Sequence, residues 1–403
     1  MQLNRNKKLR IVLLVSLILL AFSVGMLTGN LIDLRIHPIT EKTTSRGINQ
    51  DQLRSLNQVW EIIHNQYLIQ PVDDEELIRG AMSGMMDSLN DPYSAYMSPE
   101  EYRSQNAPLI GEYTGIGAWV NTSGDFLIIM SPMPDSPAEM AGLKPGDKVV
   151  AIDGEDMTRL KPLKVLEHIL GPAGSMIEIS VQREGVDKIL QFKMERALIP
   201  IPSVDSEMLE GKFGYIRLYT FGDNSTKEFT NALNTLLEQG AEGIVFDLRN
   251  NTGGYVDTAI EITSLFIKEG VVMIEEVGDG SQKEYRASGD ALNFEIPLMV
   301  LVNEGTASAS EITAGALQGL NRAKLVGTKT FGKGYIQNWV PLRQENGALR
   351  ITIARWLTPK GRQLEEFGLT PDFQVVISGD DIQNNNDAQL NQALLLLNQT
   401  GNN

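Results

Sequence analysis

A chain of 403 residues has room for two or three domains, and 42% apolar with 21% charged content marks a globular rather than a disordered protein. Its 35 Lys and Arg against 51 Asp and Glu leave a formal charge of −16, which repels a phosphate backbone and excludes broad nucleic-acid binding. The lack of cysteine excludes disulfides, thiol nucleophiles, iron–sulfur clusters and cysteine–zinc sites, and only His37, His64 and His168 can supply an imidazole.

The chain opens with Arg5, Lys7, Lys8 and Arg10, followed by Ile11–Ile32, a run of 22 residues without a charge. Such a run spans a bilayer as one helix. Basic residues before it predict a cytoplasmic N-terminus, with everything after the span outside. The alternative is a cleaved signal peptide, with small-x-small sites at Ala21-Phe22-Ser23 and Ser23-Val24-Gly25. The run exceeds a usual signal h-region, so residues 1–32 are expected to be a basic segment and uncleaved anchor. Both readings make the protein extracytoplasmic, periplasmic or extracellular.

After the polar stretch Thr40–Asn49, residues 50–104 read as a small helical region. Ile78, Ala81, Met82, Met85 and Leu89 form one apolar stripe at helical spacing, ended by Asn90-Asp91-Pro92. Core packing or homodimerisation is the default role of such a stripe.

Residues 105–196 change to short β-like runs punctuated by glycine. Strands are expected at Ile116–Val120, Phe126–Met130, Lys148–Ile152 and Met176–Gln182, with helices at Ser136–Ala141 and Pro162–Ile169. Gly115-Ile116-Gly117-Ala118 before a strand, Ser136-Pro137-Ala138 opening a helix, and Ala141–Asp147 followed by Ile152-Asp153-Gly154 resemble a PDZ domain. Backbone N–H groups of such a glycine loop can receive a peptide's terminal carboxylate while the peptide adds as a strand to the sheet edge. Gly115, Ile116, Gly117 and Ala118 are the expected peptide-binding residues. The bland alternative is a small β-barrel with tight turns and no ligand.

Residues 197–378 alternate strand and helix, which predicts an α/β core with mostly parallel pairing. Phe213–Leu218, Gly243–Leu248 and Ile296–Asn303 read as strands, and Tyr255–Ile267 and Ala307–Leu320 as helices. Ser225-x-x-Glu228 has capping-box spacing before a helix with Phe229, Ala232, Leu233, Leu236 and Leu237 on one face, closed by Gly240. Residues 379–403 hold a polar linker and a Leu-rich helix at Asp387–Asn398, expected to dock or dimerise.

Gly305-Thr306-Ala307-Ser308-Ala309-Ser310-Glu311 falls where a strand gives way to a helix. A serine there has a helix N-terminus behind it, with free N–H groups and partial positive charge suited to an oxyanion hole. Simple N-capping fits the local sequence equally well. A serine nucleophile needs a base, and no histidine follows residue 168. His168 would have to cross from the PDZ-like unit. A lysine kept neutral by burial is the other common base. Lys333, between Gly332 and Gly334 in an otherwise uncharged run, is a candidate, although the sequence alone also fits an exposed turn lysine.

Gly327-x-x-x-x-Gly332-Lys333-Gly334 falls one residue short of a phosphate-binding loop, with Gly334 where a hydroxyl should hold magnesium. The following Tyr335–Val340 reads as strand, whereas a phosphate loop must open a helix. A nucleotide site is not expected.

Together these stretches resemble the carboxyl-terminal processing peptidases, or tail-specific proteases. The matching motifs are Gly214-Tyr215-Ile216, Asp247–Gly254, Gly305–Gly315, Gly327–Gly334, Ala354–Arg362 and Gly368–Asp372, with Arg79–Met82 and Asp91–Tyr96 upstream. The resemblance covers roughly residues 55–378 and implies a Ser–Lys protease. Ser308 would be nucleophile and Lys333, 25 residues on, general base. Only this motif prefers Ser308 to Ser310. Gln337 matches the residue whose amide oxygen orients the lysine, a contact that needs a bend because a straight strand would separate positions 333 and 337 by about 13 Å. The oxyanion hole would be the N–H of Ala309 with that of Gly253 or Gly254. Thr306 stands where serine is common, and Leu170 where many relatives carry arginine. In relatives such a basic PDZ residue can couple tail docking to assembly of the site.

The expected protein is therefore a multidomain α/β chain: a membrane anchor, a helical region, a PDZ domain and a serine-peptidase core with a C-terminal helix. It would bind substrate C-termini and cleave near them without metal or cofactor. A catalytically inactive peptide-binding scaffold is the alternative from a different class.

Overall fold

The computed structural model describes residues 49–400, except 211, 290, 293, 294, 366 and the side chain of Glu345. The expected anchor at 11–32 lies outside the described residues, among which no helix is long and apolar enough to cross a membrane. The chain divides into two compact units, one ending at Asp74 and one running from Glu75. In the first, helix α1 (Gln50–Gln66) is closed by a capping box. The Asn49 carboxamide oxygen accepts from Gln52 N–H at 2.8 Å, and Gln52 Oε1 accepts from Asn49 N–H at 3.0 Å.

Helix α2 (Asp74–Asp87) carries the predicted stripe, but the stripe faces outward: Ile78 is 49%, Met85 60% and Leu89 53% exposed, while Met86 is the side chain that is buried. Helical spacing identifies a face without saying what covers it, and on this chain Met86 makes the inward contact. Strand β1 (Ala95–Met97) and helix α3 (Pro99–Ile110) follow, so the helical region contains a strand and runs past the expected boundary at 104. Gly111, at φ 79°, ends α3 in the left-handed conformation that glycine adopts without a steric penalty.

A two-stranded ribbon, β2 (Glu112–Gly115) with β9 (Ala197–Pro200), carries the chain into and out of the PDZ-like unit. That unit is an antiparallel sheet in the order β3 (Ala118–Asn121), β4 (Ile128–Pro132), β5 (Lys148–Ile152), β7 (Met176–Gln182), β8 (Leu190–Glu195), with β6 (Glu155–Asp156) on β5. Ile177, Ile179 and Val181 alternate inward with the strand period and pack with Leu127, Ile129 and Val165. Helices α4 (Pro137–Ala141) and α5 (Pro162–Ile169) lie where expected. The first strand begins at Ala118 rather than Ile116 because Gly117, at φ 72°, turns the chain first.

The core sheet runs β10 (Val204–Leu209), β11 (Phe213–Leu218), β12 (Gly243–Asp247), β15 (Leu298–Val302), β16 (Lys324–Gly327), β19 (Phe373–Gln374), parallel except for β10. Its strands alternate between two apolar layers. Ile216, Phe246 and Val300 meet helices α6 (Ser225–Glu238), α7 (Val256–Ser264) and α8 (Ala309–Gly319). Val245, Met299 and Leu301 meet the C-terminal helix α10 (Ala388–Thr400), which therefore docks within its own chain. The short helix α9 (Gly379–Gln383) precedes it. A second sheet pairs β1 with β18 (Ala348–Leu357), then β13 (Val271–Val277) and β14 (Gln282–Arg286), with β17 (Tyr335–Pro341) also on β18.

One expected cap is absent. Ser225 Oγ donates to the Thr220 carbonyl at 2.9 Å and accepts from Gly222 N–H at 2.8 Å. Glu228 accepts from the N–H and hydroxyl of Ser203, both at 2.7 Å. The pair thus fastens the chain on either side of β10 and β11 to α6, a tertiary use that local spacing cannot distinguish from capping.

An ionic cluster holds α10 in place. Arg249 donates to fully buried Asp247 (Nη2 to Oδ2, 2.6 Å), to Asp387 (2.8 and 2.9 Å) and to Gln389 (3.1 Å), and Tyr215 Oη donates to Asp247 at 2.7 Å. Its hydrogen bonds hold the Asp387 carboxyl below its ordinary pKa despite the opposing effect of burial. Replacing Arg249 by methionine leaves Asp247 buried without its cation, so a loss of about 3 kcal/mol is expected in urea unfolding. A change under about 1 kcal/mol would mean that the cluster contributes no more than a surface pair.

Candidate active site

The loop after β15 is tied to the end of β12 before it reaches α8. Thr306, fully buried, donates its hydroxyl to the Leu248 carbonyl at 2.8 Å and accepts from Asn303 N–H at 3.0 Å. Ala307 N–H reaches the Asn251 carbonyl at 3.0 Å. Ser308 then sits at φ 57°, ψ −119°, a conformation costly for a residue with a β-carbon. Ordinary N-caps are extended. The strained strand-to-helix turn is instead the geometry that presents a nucleophilic serine. Ser310, by contrast, is fully buried and donates its hydroxyl to the Asn251 carbonyl at 2.9 Å.

The Gly253-Gly254 turn lies directly against this serine. A β-carbon built on Gly253 (φ 109°) would stand 2.8 Å from Ser308 Cβ and 2.9 Å from Ala309 N. Ala309 is the first residue of α8, where helix geometry leaves N–H groups without intrahelical acceptors. Gly253 N–H donates to Asn251 Oδ1 at 2.9 Å, which leaves Gly254 as the second oxyanion candidate of that pair. Gly253→Ala is expected to lower the turnover rate at least about 100-fold, the scale of losing one oxyanion donor, while binding of substrate tails is unchanged. Wild-type turnover in this variant would remove the turn from the site.

Lys333 arrives beside the serine through one buried carboxylate. Glu311 Oε2 accepts from Ser308 N–H at 3.0 Å and Lys333 N–H at 2.9 Å. Its Oε1 accepts from Gly332 N–H at 2.8 Å and Thr330 Oγ1 at 2.5 Å. Phe331 N–H adds a bond to the Thr306 carbonyl at 3.0 Å. The serine turn and the lysine turn are therefore pinned to each other by their backbones. Burial raises the Glu311 pKa, against the pull of these four donors.

The Lys333 ammonium is half-buried. Burial, then the charge of Arg350, pushes its pKa below the ordinary lysine value, while Glu311 pulls the other way. Its Nζ lies 5.8 Å from the centre of the Tyr93 ring. Tyr93 comes from the segment before β1, held by Arg350 Nε donating to the Tyr93 carbonyl at 2.9 Å and by Thr352 N–H donating to Ser94 Oγ at 2.9 Å. Strand β17 is bulged between Ile336 and Gln337, and Gln337 Nε2 donates to Thr352 Oγ1 at 3.4 Å. No hydrogen bond joins Lys333 to Gln337 among the described residues. After Gly334 the chain continues as strand, whereas a phosphate loop opens a helix. His168 is exposed on α5, and its Nδ1 pairs with the Lys164 carbonyl of its own helix at 2.8 Å.

In the PDZ-like unit, the Ile116 and Gly117 carbonyls accept from Ala138 and Met133 N–H at 2.8 and 2.9 Å. The loop Gly115–Ala118 is thereby fixed in front of β3, an edge strand that among the described residues pairs only with β4. Near Leu170, the basic side chain is Arg196, which donates to the carbonyls of His168 (2.9 Å), Ile169 (2.8 Å) and Met176 (3.2 Å) and to Ser175 Oγ (3.1 Å). It closes the C-terminal end of α5, where a cation also suits the helix dipole.

Glu311 and Tyr93 escaped the sequence reading. Ser308-x-x-Glu311 has capping-box spacing and could have flagged the glutamate. Nothing local points to Tyr93.

The family model "Peptidase family S41" matches residues 212–375, "PDZ domain" matches 128–183, and "Activating protease CtpB N-terminal domain" matches 26–101. A carboxyl-terminal-processing protease of Synechocystis is 36% identical over 363 residues, covering 87% of this chain and 84% of its own. The carboxy-terminal processing protease CtpA of Bacillus subtilis is 34% identical, covering 92% and 78%. The chain belongs to the S41 family of carboxyl-terminal-processing proteases. Among solved structures, the photosystem II D1 C-terminal processing protease is 28% identical, with a TM-score of 0.47 over 82% of this chain and 94% of its own. This S41 protease is thus a serine peptidase with PDZ-mediated substrate recognition.

Proposed function

We propose that this protease works from the cell membrane, anchored through residues 11–32 with its catalytic part extracytoplasmic. In this reading the PDZ loop Gly115–Ala118 receives the free carboxylate of a protein tail, and the tail adds as a strand along β3. The core then cleaves near that end or degrades progressively from it. Ser308 Oγ attacks the scissile carbonyl while neutral Lys333 takes its proton, and the resulting lysinium protonates the leaving amine. Ala309 and Gly254 N–H groups hold the oxyanion. Water, deprotonated by the same lysine, releases the acyl group. Gln337, whose amide nitrogen donates to Thr352, is assigned the role of orienting Lys333 through its amide oxygen. The dyad chemistry requires no metal or cofactor, and the exposed stripe on α2 suits a homodimer contact.

The observation that carries this reading is the Glu311 carboxylate, which holds the backbones of Ser308 and Lys333 at 3.0 and 2.9 Å. The test is hydrolysis of one unfolded substrate ending in a free carboxylate or in an amide. Faster cleavage of the free acid, abolished by Ser308→Ala, is expected. Equal rates would remove tail recognition from the mechanism. Location is tested separately, by the accessibility of the protein to an added protease in intact against permeabilised cells.

A further inference from the structure

The stretch Asp91–Tyr96 precedes the whole PDZ-like unit in sequence, yet it delivers a side chain to the dyad. Three sets of contacts fix its place. Asp91 Oδ1 accepts from Tyr93 N–H at 3.0 Å, and its Oδ2 accepts from the Ser94 hydroxyl. Ala95, Tyr96 and Met97 pair in register with Arg350, Leu349 and Ala348 of β18. From the same strand, Arg350 Nε and Thr352 N–H hold the Tyr93 carbonyl and Ser94 Oγ, each at 2.9 Å. The Tyr93 ring is thereby set against two residues of the lysine turn. It meets the Tyr335 ring with 5.5 Å between centroids and 40° between planes, and Lys333 Nζ stands over it, 5.8 Å from its centroid. The hydrogen bonds of Lys333 run through its backbone, N–H to Glu311 and carbonyl from Trp356 Nε1, and among the described residues Nζ makes none.

We propose that Tyr93 is a positioning residue for Lys333, its ring face receiving the ammonium that proton transfer from Ser308 creates. The inference rests on the reading of Lys333 as general base. In that reading Nζ takes the Ser308 Oγ proton as Oγ bonds to the scissile carbonyl carbon, and the amine becomes a cation in a half-buried place. The groups around it act in both directions. Arg350 of β18 disfavours the ammonium and Glu311 of α8 favours it, while Tyr335 of β17 stays neutral, its hydroxyl donating to Glu365 at 2.5 Å. An aromatic face attracts a cation within about 6 Å of its centroid, more strongly where water is excluded. The attraction needs the positive charge, so it grows as the proton arrives at Nζ. That is the condition for lowering a barrier rather than only holding the ground state. The strand that brings the repelling Arg350 also clamps Tyr93, so the repulsion and its partial offset are built by the same contacts.

The test is the pH profile of the acylation rate, measured by single turnover on the full chain. Tyr93→Phe keeps the ring face and is the conservative variant, expected to preserve the wild-type limb and plateau. A series of increasingly fluorinated phenylalanines at position 93 keeps the ring's shape while draining the negative charge from its face. Along that series the Lys333 limb is expected to move to lower pH, by up to about one pH unit, because the ammonium loses an attraction. The plateau is expected to fall several-fold with it, within the range of about twofold to thirtyfold that a cation–π contact spans. A residue that only packs would not shift the limb in step with fluorination. Tyr93→Leu removes the ring and is expected to lower the plateau further, and the fluorinated series decides the matter if that protein does not fold. A limb and plateau that stay constant along the series would overturn the inference, as would a Tyr93→Phe protein as slow as Tyr93→Leu, which would assign the effect to the hydroxyl. Full turnover of Lys333→Met in the same assay would instead sink the lysine-base reading on which the inference rests.

Discussion

Ser308→Ala and Lys333→Met are each expected to reduce peptide hydrolysis by at least about 1,000-fold, the scale seen when one member of a nucleophile–base unit is removed, while tail binding is retained. Ser310→Ala is expected to keep most activity, because its hydroxyl is fully buried and already donates to Asn251. Full activity in the Ser308 variant with loss in the Ser310 variant would reverse the assignment. The acylation rate should rise with pH along one ionisation and level off once Lys333 is neutral. An exposed lysine would place that limb near ~10.4. Burial and Arg350 both disfavour the ammonium, so the limb is expected below that value. Arg350→Gln removes one of those two causes, which raises the Lys333 pKa and moves the limb to higher pH. A limb that follows His168→Ala instead would mean a histidine base, against the exposed position of that ring on α5.

Glu311→Ala is expected to cost at least about 100-fold in turnover by spoiling the alignment of reacting groups, with a stability loss of about 3 kcal/mol or more. Four donors converge on this carboxylate: Ser308 N–H, Thr330 Oγ1, Gly332 N–H and Lys333 N–H. Alanine leaves all four without that acceptor inside the protein. Glutamine keeps one acceptor oxygen but turns an amide against the other two donors, so Glu311→Gln should fall between wild type and Glu311→Ala. Single-turnover kinetics separate this effect from substrate binding: the chemical step should slow while affinity for the tail is unchanged. Wild-type turnover in a folded Glu311→Ala protein would show that the two turns hold their places without it.

The strand-to-helix turn at Ser308 and the glycine-flanked turn at Lys333 were legible because each is a local pattern, while the roles assigned to them came from the family resemblance. A glycine before a strand or a serine before a helix answers a backbone requirement met within a few residues. The same local view misassigned Ser225 and Glu228, which pair with Thr220, Gly222 and Ser203 rather than capping their helix. Of the two roles it left open for the α2 stripe, core packing is the one the structure removes, since Met86 is buried there instead.

By itself, the sequence determined the order of units, the alternating strands and helices of the core, and which residues stand at strand-to-helix turns. Hydrogen-bond periodicity and side-chain spacing act over about four residues, and these features need nothing longer. Only the tertiary structure decided that Glu311 binds Ser308 and Lys333 together, and that Tyr93 reaches Lys333 across the β1–β18 pairing. Each of these depends on strands far apart in the chain meeting in one register. That register is chosen by which apolar faces can be buried at once, a property of the whole fold rather than of any segment.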